Sequence, residues 1–124
     1  MQADKTLKAH IKGFPQPNEI FLRGKIKKGL PLQRTIYLIG VTTPQLGGPD
    51  HPDDPYAFQA REFLRERFNA KAVEFVIEHK APGRKEFARV MVDGEDVITR
   101  LLLNGFARLE QQHGHPVPHN IKEY

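Results

Sequence analysis

The segment PYAFQAREFLRERF, residues 55–68, restricts the possible folds of this chain more than any other stretch. Its apolar residues recur at helical spacing with charged residues between them, which predicts an amphipathic helix. Asp53 or Asp54 is the predicted N-cap, and Pro55 is the first helical residue. From Lys71 to Lys80 the pattern changes to strict alternation, which predicts a strand directly after the helix. The fold must therefore place one helix within a series of strands.

Short alternating segments on both sides of this helix predict four more strands, bounded by stretches rich in Pro and Gly. Their predicted bounds are Thr6–Phe14, Asn18–Arg23, Leu32–Val41 and Lys85–Asp93, with Gly24–Pro31 as a connecting segment. Asp96 is predicted to cap a second helix that runs to Leu103 and is closed by Gly105. Five strands with a helix between the third and fourth give a mainly β fold with helices (α+β). This is the order of a five-stranded OB-fold barrel.

The aromatic residues of these elements mostly fall at core-facing positions. The predicted core aromatics are Phe58, Phe63, Phe68, Phe75 and Phe87. On the strands, this leaves Phe21 and Tyr37 as candidates for stacking against a ligand, with Tyr37 as well suited to packing as to exposure.

The composition agrees with one soluble, intracellular domain. A chain of 124 residues suits a single hydrophobic core. No apolar run approaches the roughly 18 residues that a membrane span requires, and the first residues lack the apolar stretch of a signal peptide. The chain has no cysteine, which excludes disulfides and thiolate chemistry. We therefore expect a cytoplasmic protein with no membrane partner.

Positive charge is concentrated in the first third of the chain. Residues 1–40 carry eight Lys and Arg against two acids, whereas residues 41–124 carry eleven against thirteen. The basic part therefore predicts a polyanionic partner, and the remainder does not.

Several motifs together resemble the staphylococcal-nuclease-like domains of the Tudor-SN (p100 coactivator) family, and most closely the first such repeat. They are NEIFLRG after the first strand, a third strand that runs into a Thr-Pro turn, the helix motif PYAFQAREFL, and DGEDV before the second helix. The resemblance extends from about Lys8 to Leu109. It implies the staphylococcal nuclease type of OB-fold barrel, with a third, C-terminal helix in the family that this chain lacks.

The resemblance also implies where a nuclease site would lie. Active members of the family hydrolyse phosphodiesters with two carboxylates that hold Ca²⁺, a Glu general base and two Arg that bind the phosphate. Carried onto this sequence, the carboxylate positions fall on Asn18 and Thr42, and the base falls on Gln45. The Arg positions fall on Tyr37 and Lys85.

None of these five residues keeps the group that the chemistry needs, so the catalytic set is degenerate. An amide cannot accept a proton near neutral pH, and the loss of a general base costs about 10²- to 10⁴-fold in rate. With Asn18 and Thr42 in place of the two carboxylates, the metal would have no negatively charged ligand at these positions. We therefore expect the Ca²⁺ site to be lost, and we expect no other cofactor. The isolated domain is therefore predicted not to be a nuclease by the family's mechanism.

The basic residues are predicted to retain a nucleic-acid-binding role by lining one side of the barrel. They are Lys8, Lys12, Arg23, Lys25, Lys27, Lys28, Arg34, Arg84 and Lys85. Arg84 takes the second clamp position if the turn before Lys85 is shifted by one residue. The alternative interpretation is a charged face that only keeps the protein soluble.

Two other groups of residues resemble metal sites. His113, His115 and His119 lie in a segment rich in Gly and Pro that is typical of a flexible tail. The loop of residues 50–54, DHPDD, contains hard-cation ligands, but loop polarity and helix capping at the favourable end of the helix dipole explain it better. We predict no metal site.

The C-terminal residues predict a chain that is part of a longer protein. Residues 1–109 form the predicted nuclease-like OB-fold domain, and residues 110–124 form a linker or tail that leads to the absent third helix. Without that helix, apolar surface of the barrel is left uncovered. We therefore expect this fragment to form a dimer.

Three functions are consistent with these features. The first is a degenerate repeat that binds RNA, single- or double-stranded, in a multidomain Tudor-SN protein. The family's roles imply RNA silencing (RISC), RNA processing and transcriptional coactivation, in cytoplasm and nucleus. Expected partners are the other repeats and Tudor domain of the parent chain and proteins of those complexes. The second is a Ca²⁺-dependent RNA nuclease that acts with neighbouring repeats, and the third is a protein-interaction scaffold.

Overall fold

The computed structural model describes residues 6–27 and 30–110. Lys28, the three tail histidines and the place of the family's third helix lie outside these residues, so the predictions made for them stay predictions. The strands are β1 (Leu7–Gln16), β2 (Glu19–Lys27), β3 (Leu30–Leu38), β4 (Val41–Thr42), β5 (Ala72–Ala81), β6 (Lys85–Val92), β7 (Glu95–Asp96) and β8 (Arg108–Leu109). The helices are α1 (Ala57–Phe68) and α2 (Val97–Leu103), and a 3-10 turn spans Pro82–Arg84.

The five long strands form a closed barrel. They lie in the order β3, β2, β1, β5, β6 with antiparallel neighbours, and β3 closes the barrel by pairing in parallel with β6. Helix α1 comes between the third and fourth long strands, and α2 follows the fifth. The OB-fold prediction of a mainly β chain with two helices is therefore confirmed.

The barrel interior is filled by residues that alternate along the strands. Ile20 and Leu22 of β2 and Ile36 and Leu38 of β3 are almost completely buried, and Leu64 of α1 packs in the same core. The intervening residues of β2 and β3 face outward because successive strand side chains point to opposite sides. This alternation gives the β1–β3 meander one apolar inner face and one polar outer face.

The predicted strand bounds are wrong at two places. Gly24–Pro31 is not a connecting segment, since β2 continues to Lys27 and pairs with Leu30 at the start of β3. The predicted third strand ends early, at Leu38, because Gly40 has a φ of 77° that leaves the extended region. Val41 and Thr42 instead pair with β8 in a separate two-stranded sheet.

Helix α1 begins later than predicted. Its N-cap is Tyr56, with a φ of 68° and no side-chain cap, so neither Asp53 nor Asp54 caps it and Pro55 precedes it. The buried stripe consists of Ala57, Ala60, Leu64 and Phe68. Phe58 lies about 100° around the helix from Ala57 and is 57% exposed, so its predicted burial was wrong.

Helix α2 confirms the capping prediction. The Asp96 carboxylate accepts hydrogen bonds from the backbone N–H groups of Ile98 at 2.9 Å and Thr99 at 3.3 Å. The helix ends at Leu103, and Gly105 follows with a φ of 76°, which is the left-handed conformation that glycine favours after a helix. Within the described ranges, neither helix is long and apolar enough to cross a membrane.

Candidate nucleic-acid interface

The Thr-Pro turn after β4 is held against the β1–β2 turn by the side chain of Gln45. Its Nε2 atom donates to Asn18 Oδ1 at 3.0 Å and to Thr43 Oγ1 at 2.9 Å. Thr43 itself is buried, with 4% exposure. The structure thus brings together two of the predicted catalytic positions, Asn18 and Gln45, but they meet as an amide donor and a neutral acceptor. This contact has no proton acceptor of useful basicity and no negative charge for a cation.

The two aspartates of the following loop are engaged by backbone N–H groups. Asp54 Oδ2 accepts from Gln45 N at 2.8 Å, and Asp53 Oδ1 accepts from Gly47 N at 2.7 Å. Gly47 is required here because a Cβ atom would lie 2.3 Å from the carbonyl oxygen of His51. These carboxylates therefore fold the loop instead of capping α1, which explains why the predicted cap is wrong.

Thr42, the second carboxylate position, lies opposite a cation. It pairs with Arg108 in the β4–β8 ladder, and directly opposed residues share a face of a sheet. Thr42, Thr43 and Arg108 border a cleft of about 410 Å³, whose carboxylate, Asp54, already binds the Gln45 backbone. Such a donor set does not fit Ca²⁺, which prefers several anionic oxygens. Throughout the described residues, no three His, Asp or Glu side chains are grouped to hold a metal ion.

The two phosphate-clamp positions also come together, in a changed form. The Lys85 ammonium lies 5.2 Å from the centre of the Tyr37 ring, within the range of a cation–π contact. Burial of the ring, with a smaller contribution from the charge and hydrogen bonding of Glu19, raises the pKa of the Tyr37 phenol. Tyr37 is therefore a neutral aromatic surface at physiological pH, with a cation beside it.

Further cations lie on the outer face of the meander. Lys12 Nζ lies 5.7 Å from the centre of the Phe21 ring, and Arg23 is exposed, opposite His10 of β1. Arg84 is exposed in the β5–β6 turn. Oligonucleotides bind OB folds on the face of the second and third strands, between the first and fourth interstrand loops. Here that face carries Phe21 and Arg23 of β2 and Tyr37 of β3.

Four of the predicted binding cations make no ion pair with any described residue. They are Lys12, Arg23, Arg84 and Lys85. Lys80, beside the same β5–β6 turn, is exposed and likewise unpaired within the described part of the chain. Positive charge is thus available at the OB-fold face and at its fourth interstrand loop.

Two other predicted cations are engaged. Arg34 holds Glu86 with two hydrogen bonds, of 2.8 and 3.3 Å, and lies 5.7 Å from the centre of the Phe75 ring. Arg34 lies on the same side of β3 as the buried Ile36 and Leu38, not on the outer face, and its ion pair links β3 to β6. Lys8 lies 3.9 Å from Glu74, with both side chains mostly exposed. The structure does not describe the remaining predicted cations, which are Lys28 and the side chains of Lys25 and Lys27.

Two residues that were not predicted as binding residues extend the aromatic surface. Phe87 is half-buried on the outside of the barrel, in contrast to its predicted core position, and its ring lies 5.6 Å from Tyr37. His79, which is exposed, lies 5.9 Å from Phe87. The cross-strand neighbours His79 and Phe87 could have been inferred from the hairpin. The Tyr37 contact depends on the parallel closure of the barrel, which no local pattern specifies.

Comparison with protein families agrees with this geometry. The family model described as "Staphylococcal nuclease homologue" matches residues 35–124, which include the Thr-Pro turn after β4, α1 and the β5–β6 hairpin. The chain belongs to this family. The resemblance of its motifs to staphylococcal-nuclease-like domains is confirmed.

Curated relatives are Tudor-SN proteins. The chain is 30% identical over 87 residues to "Ribonuclease TUDOR 2" of Arabidopsis thaliana, which covers 68% of the chain and 9% of that protein. It is 28% identical over 102 residues to "Ribonuclease TUDOR 1" of the same plant, covering 78% of the chain and 10% of the relative. It is 25% identical over 119 residues to "Staphylococcal nuclease domain-containing protein 1" of Drosophila melanogaster, covering 87% and 13%. The chain thus spans about a tenth of the length of these relatives.

Proposed function

We propose that this nuclease-like domain binds nucleic acid, with RNA as its natural target, and does not itself hydrolyse the phosphodiester bond. The observation that carries the proposal is a set of four cations around the ligand face of the barrel, Lys12, Arg23, Arg84 and Lys85, that make no ion pair with any residue in the described ranges 6–27 and 30–110. A cation that already neutralises a carboxylate contributes little to binding a phosphate. An unpaired one releases condensed counterions from the nucleic acid when it binds.

The placement of these cations on neighbouring elements of the barrel suits a nucleic-acid strand that crosses the face. Lys12 and Arg23 lie on β1 and β2, and Lys85 lies beside Tyr37 of β3. Arg84 adds charge in the loop next to them. Aromatic rings lie between the cations, since Lys12 is above Phe21 and Lys85 is above Tyr37. Alternation of charge and aromatic surface is the arrangement that single-strand-binding OB folds use.

The absence of hydrolysis follows from the chemistry at Gln45. Its Nε2 atom donates hydrogen bonds to Asn18 and Thr43, so the position of the base carries a neutral amide that cannot take up a proton. Loss of the base lowers the rate about 10²- to 10⁴-fold. Loss of the phosphate-binding arginine at the Tyr37 position removes a preorganised transition-state interaction and lowers the rate about 10²- to 10³-fold. The two losses are not additive, but they act in the same direction. We also propose that the domain does not bind the Ca²⁺ ion of the family's active members.

The wider role that we propose is that of one repeat within a longer Tudor-SN-like protein. Adjacent nuclease-like repeats and a Tudor domain would be its neighbours, and silencing (RISC), RNA-processing or transcription complexes its setting. Location in the cytoplasm, and also in the nucleus, is part of this proposal. It is supported by the relatives' names and by the small share of their length that the chain spans.

A second candidate is a metal-dependent ribonuclease that is completed by neighbouring repeats. The names of the two plant relatives favour it, because both are called ribonucleases. It requires catalytic groups from another repeat to reach the Thr42–Gln45 turn.

A titration separates these candidates. Labelled single-stranded and duplex RNA are titrated with the domain at two salt concentrations, with Ca²⁺ or with a chelator, and both binding and cleavage products are measured. We expect affinity that falls steeply with salt and no product in either metal condition. A variant with Thr42→Asp, Gln45→Glu and Tyr37→Arg tests whether the missing groups account for the inactivity.

Each outcome of this titration supports a different candidate function. Chelator-sensitive cleavage by the unaltered domain would overturn the proposal in favour of a nuclease with an altered site. If neither RNA binds at low salt, the domain is better explained as a protein-interaction scaffold. Cleavage that appears only when adjacent repeats are present would support the composite ribonuclease.

A further inference from the structure

Three aromatic side chains form a continuous row across the outer face of the barrel. Tyr37 of β3 pairs in register with Phe87 of β6, and Phe87 pairs with His79 of β5. Their rings are 5.6 and 5.9 Å apart, with interplanar angles of 36° and 43°. Side chains in one row of a sheet point the same way, so all three rings belong to one outward surface.

This row is accessible, although it is not a loose surface patch. His79 is exposed, while Tyr37 and Phe87 are half-buried with their backbones fixed in the β3–β6 and β5–β6 ladders. A half-buried ring on a rigid strand loses little conformational freedom when a ligand stacks on it. The row therefore forms a preorganised surface for a flat ligand.

The charges around the row favour a ligand that is flat and anionic at its edge. Lys85 lies 5.2 Å from the centre of the Tyr37 ring, and Arg84 precedes it in the turn. The Tyr37 phenol, which is hydrogen-bonded to Glu19 of β2, is neutral at physiological pH and therefore does not repel such a ligand. A nucleotide, with an aromatic base and a phosphate, has this combination.

Lys85 does not block the surface. An exposed cation–π contact changes an equilibrium by roughly two- to fivefold. A base stacked on an aromatic side chain changes it by roughly fivefold to a hundredfold. A base can thus displace the ammonium group from the Tyr37 ring, and the long Lys side chain can then reach the phosphate of the same nucleotide.

We propose that Tyr37, Phe87 and His79 form a stacking platform for unpaired bases, which makes the domain select single-stranded over duplex nucleic acid. This inference rests on the proposed nucleic-acid binding and specifies its ligand. In a duplex the faces of the bases are covered by their neighbours, so only an unpaired segment can place a base on the row. The platform contacts the face of the base, which RNA and DNA share.

The test compares normal and abasic single strands. An abasic strand keeps the phosphates and lacks the bases, so it separates stacking from charge. Wild type is titrated with labelled single-stranded RNA, single-stranded DNA, duplex RNA and an abasic strand of equal length. We expect wild type to bind both normal single strands at least tenfold more tightly than the abasic strand and the duplex.

The variants Tyr37→Leu and Phe87→Leu remove the rings and keep apolar volume. Each is expected to lose roughly fivefold or more on normal single strands and to show no further loss on the abasic strand. The dependence of affinity on salt should not change, because no cation is removed. Tyr37→Phe is the conservative variant: it keeps the ring, so it should retain the preference for normal over abasic strands that Tyr37→Leu loses. Phe58→Leu is the matched control, since it removes an exposed aromatic from α1, away from the row.

A fluorescent purine within the strand supplies a second readout. Its emission should be quenched on binding to wild type and not on binding to Tyr37→Leu. Circular dichroism of each variant verifies that it is folded. Equal affinity for normal and abasic strands, with salt-dependent binding intact, would overturn the platform and leave the proposed function standing. Failure of every strand to bind at low salt would overturn the proposed function as well.

Discussion

The outer face of the meander and the surface around α1, β5–β7 and α2 use charge in opposite ways. On the second surface, which we call the paired surface, five cations neutralise acids: Arg65 with Glu62, Arg67 and Arg100 with Glu95, Lys71 with Asp93, and Arg89 with Glu78. Arg61 of α1 is the exception among the described cations of these two helices, since it makes no ion pair there. On the meander face and its adjoining loop, Lys12, Arg23, Arg84 and Lys85 make no ion pair with any residue that the structure describes. Both regions are rich in Lys and Arg, so composition alone would not distinguish them.

Whether the basic residues are paired, and not how many there are, therefore indicates where a polyanion can bind. An exposed ion pair contributes only about 0.2–1 kcal/mol to stability, but it cancels the charge that a phosphate would encounter. Glu95 shows the pairing most clearly, because the Arg67 guanidinium reaches its two oxygens at 3.1 and 2.7 Å and Arg100 adds a third hydrogen bond at 3.2 Å. The paired surface is thus suited to stability and the meander face to binding.

Neutralising four cations on each surface gives the largest expected difference. We expect a variant with Lys12, Arg23, Arg84 and Lys85 changed to Gln to bind single strands two to three orders of magnitude more weakly at 0.1 M salt. This follows from a slope of about 0.7 in log affinity against log salt for each phosphate that is no longer neutralised. The matched control changes Arg65, Lys71, Arg89 and Arg100 to Gln and alters the net charge equally. Affinity and its salt slope are measured by fluorescence anisotropy; equal losses in the two variants would contradict the comparison.

Two single substitutions within the predicted binding set test the same difference between unpaired and paired cations. Arg84→Gln should reduce affinity about fivefold near 0.1 M salt, since one phosphate is no longer neutralised. Arg34→Gln should leave affinity unchanged, because Arg34 already binds Glu86, and should instead lower the free energy of unfolding by up to about 1 kcal/mol. Titration and urea denaturation measure the two effects. If Arg34→Gln weakens binding as much as Arg84→Gln does, an ion pair does not exclude a cation from the interface.

The paired surface should also determine how the protein responds to acid. Hydrogen bonding to Arg67 lowers the pKa of Glu95. A depressed carboxyl pKa stabilises the folded state fully above the ordinary Glu pKa, and this stability is lost as the pH falls through the depressed value. Glu95→Gln should therefore lose stability at neutral pH and fall less steeply on acidification, as urea midpoints at a series of pH values would show.

The meander face should respond at the opposite end of the pH range. Because burial and Glu19 raise the pKa of Tyr37, its ionisation should occur above the ordinary Tyr value. A raised pKa contributes stability below the unfolded value that is lost as the pH rises through the folded one. The tyrosinate absorbance of wild type minus that of Tyr37→Phe should report this ionisation, and Glu19→Gln should move it to lower pH. A difference spectrum that titrates at or below the ordinary value would contradict the buried, Glu19-bound phenol.

The elements that depend on local periodicity were predictable from the sequence. The strict alternation of residues 71–80 gave β5 within one residue at each end, and the Asp96 cap gave α2. Helix α1 was also predicted, but its start was not, because Asp53 and Asp54 bind the backbone of their own loop. A sequence does not show which of several N–H groups a carboxylate will accept from.

The site was predictable only in part, for a different reason. The resemblance placed Asn18 and Gln45 in one site, and they do meet at 3.0 Å. Phe87 was assigned to the core because alternation tells which residues share a side of a strand and not which side faces inward. Its contact with Tyr37 joins residues that are 50 positions apart through a parallel pairing, and only the closed barrel reveals it.

The side chain of Gln45 also bears on how this site could change over evolutionary time. A single Gln45→Glu substitution would place a carboxylate near the carbonyl oxygens of Thr43 and Pro44, which lie 3.3 and 3.4 Å from Nε2 and cannot become donors. An acid at position 42 would meet Arg108 across the β4–β8 ladder and be neutralised by it, in competition with any metal. Each first step back towards a cation site is thus unfavourable or ineffective by itself.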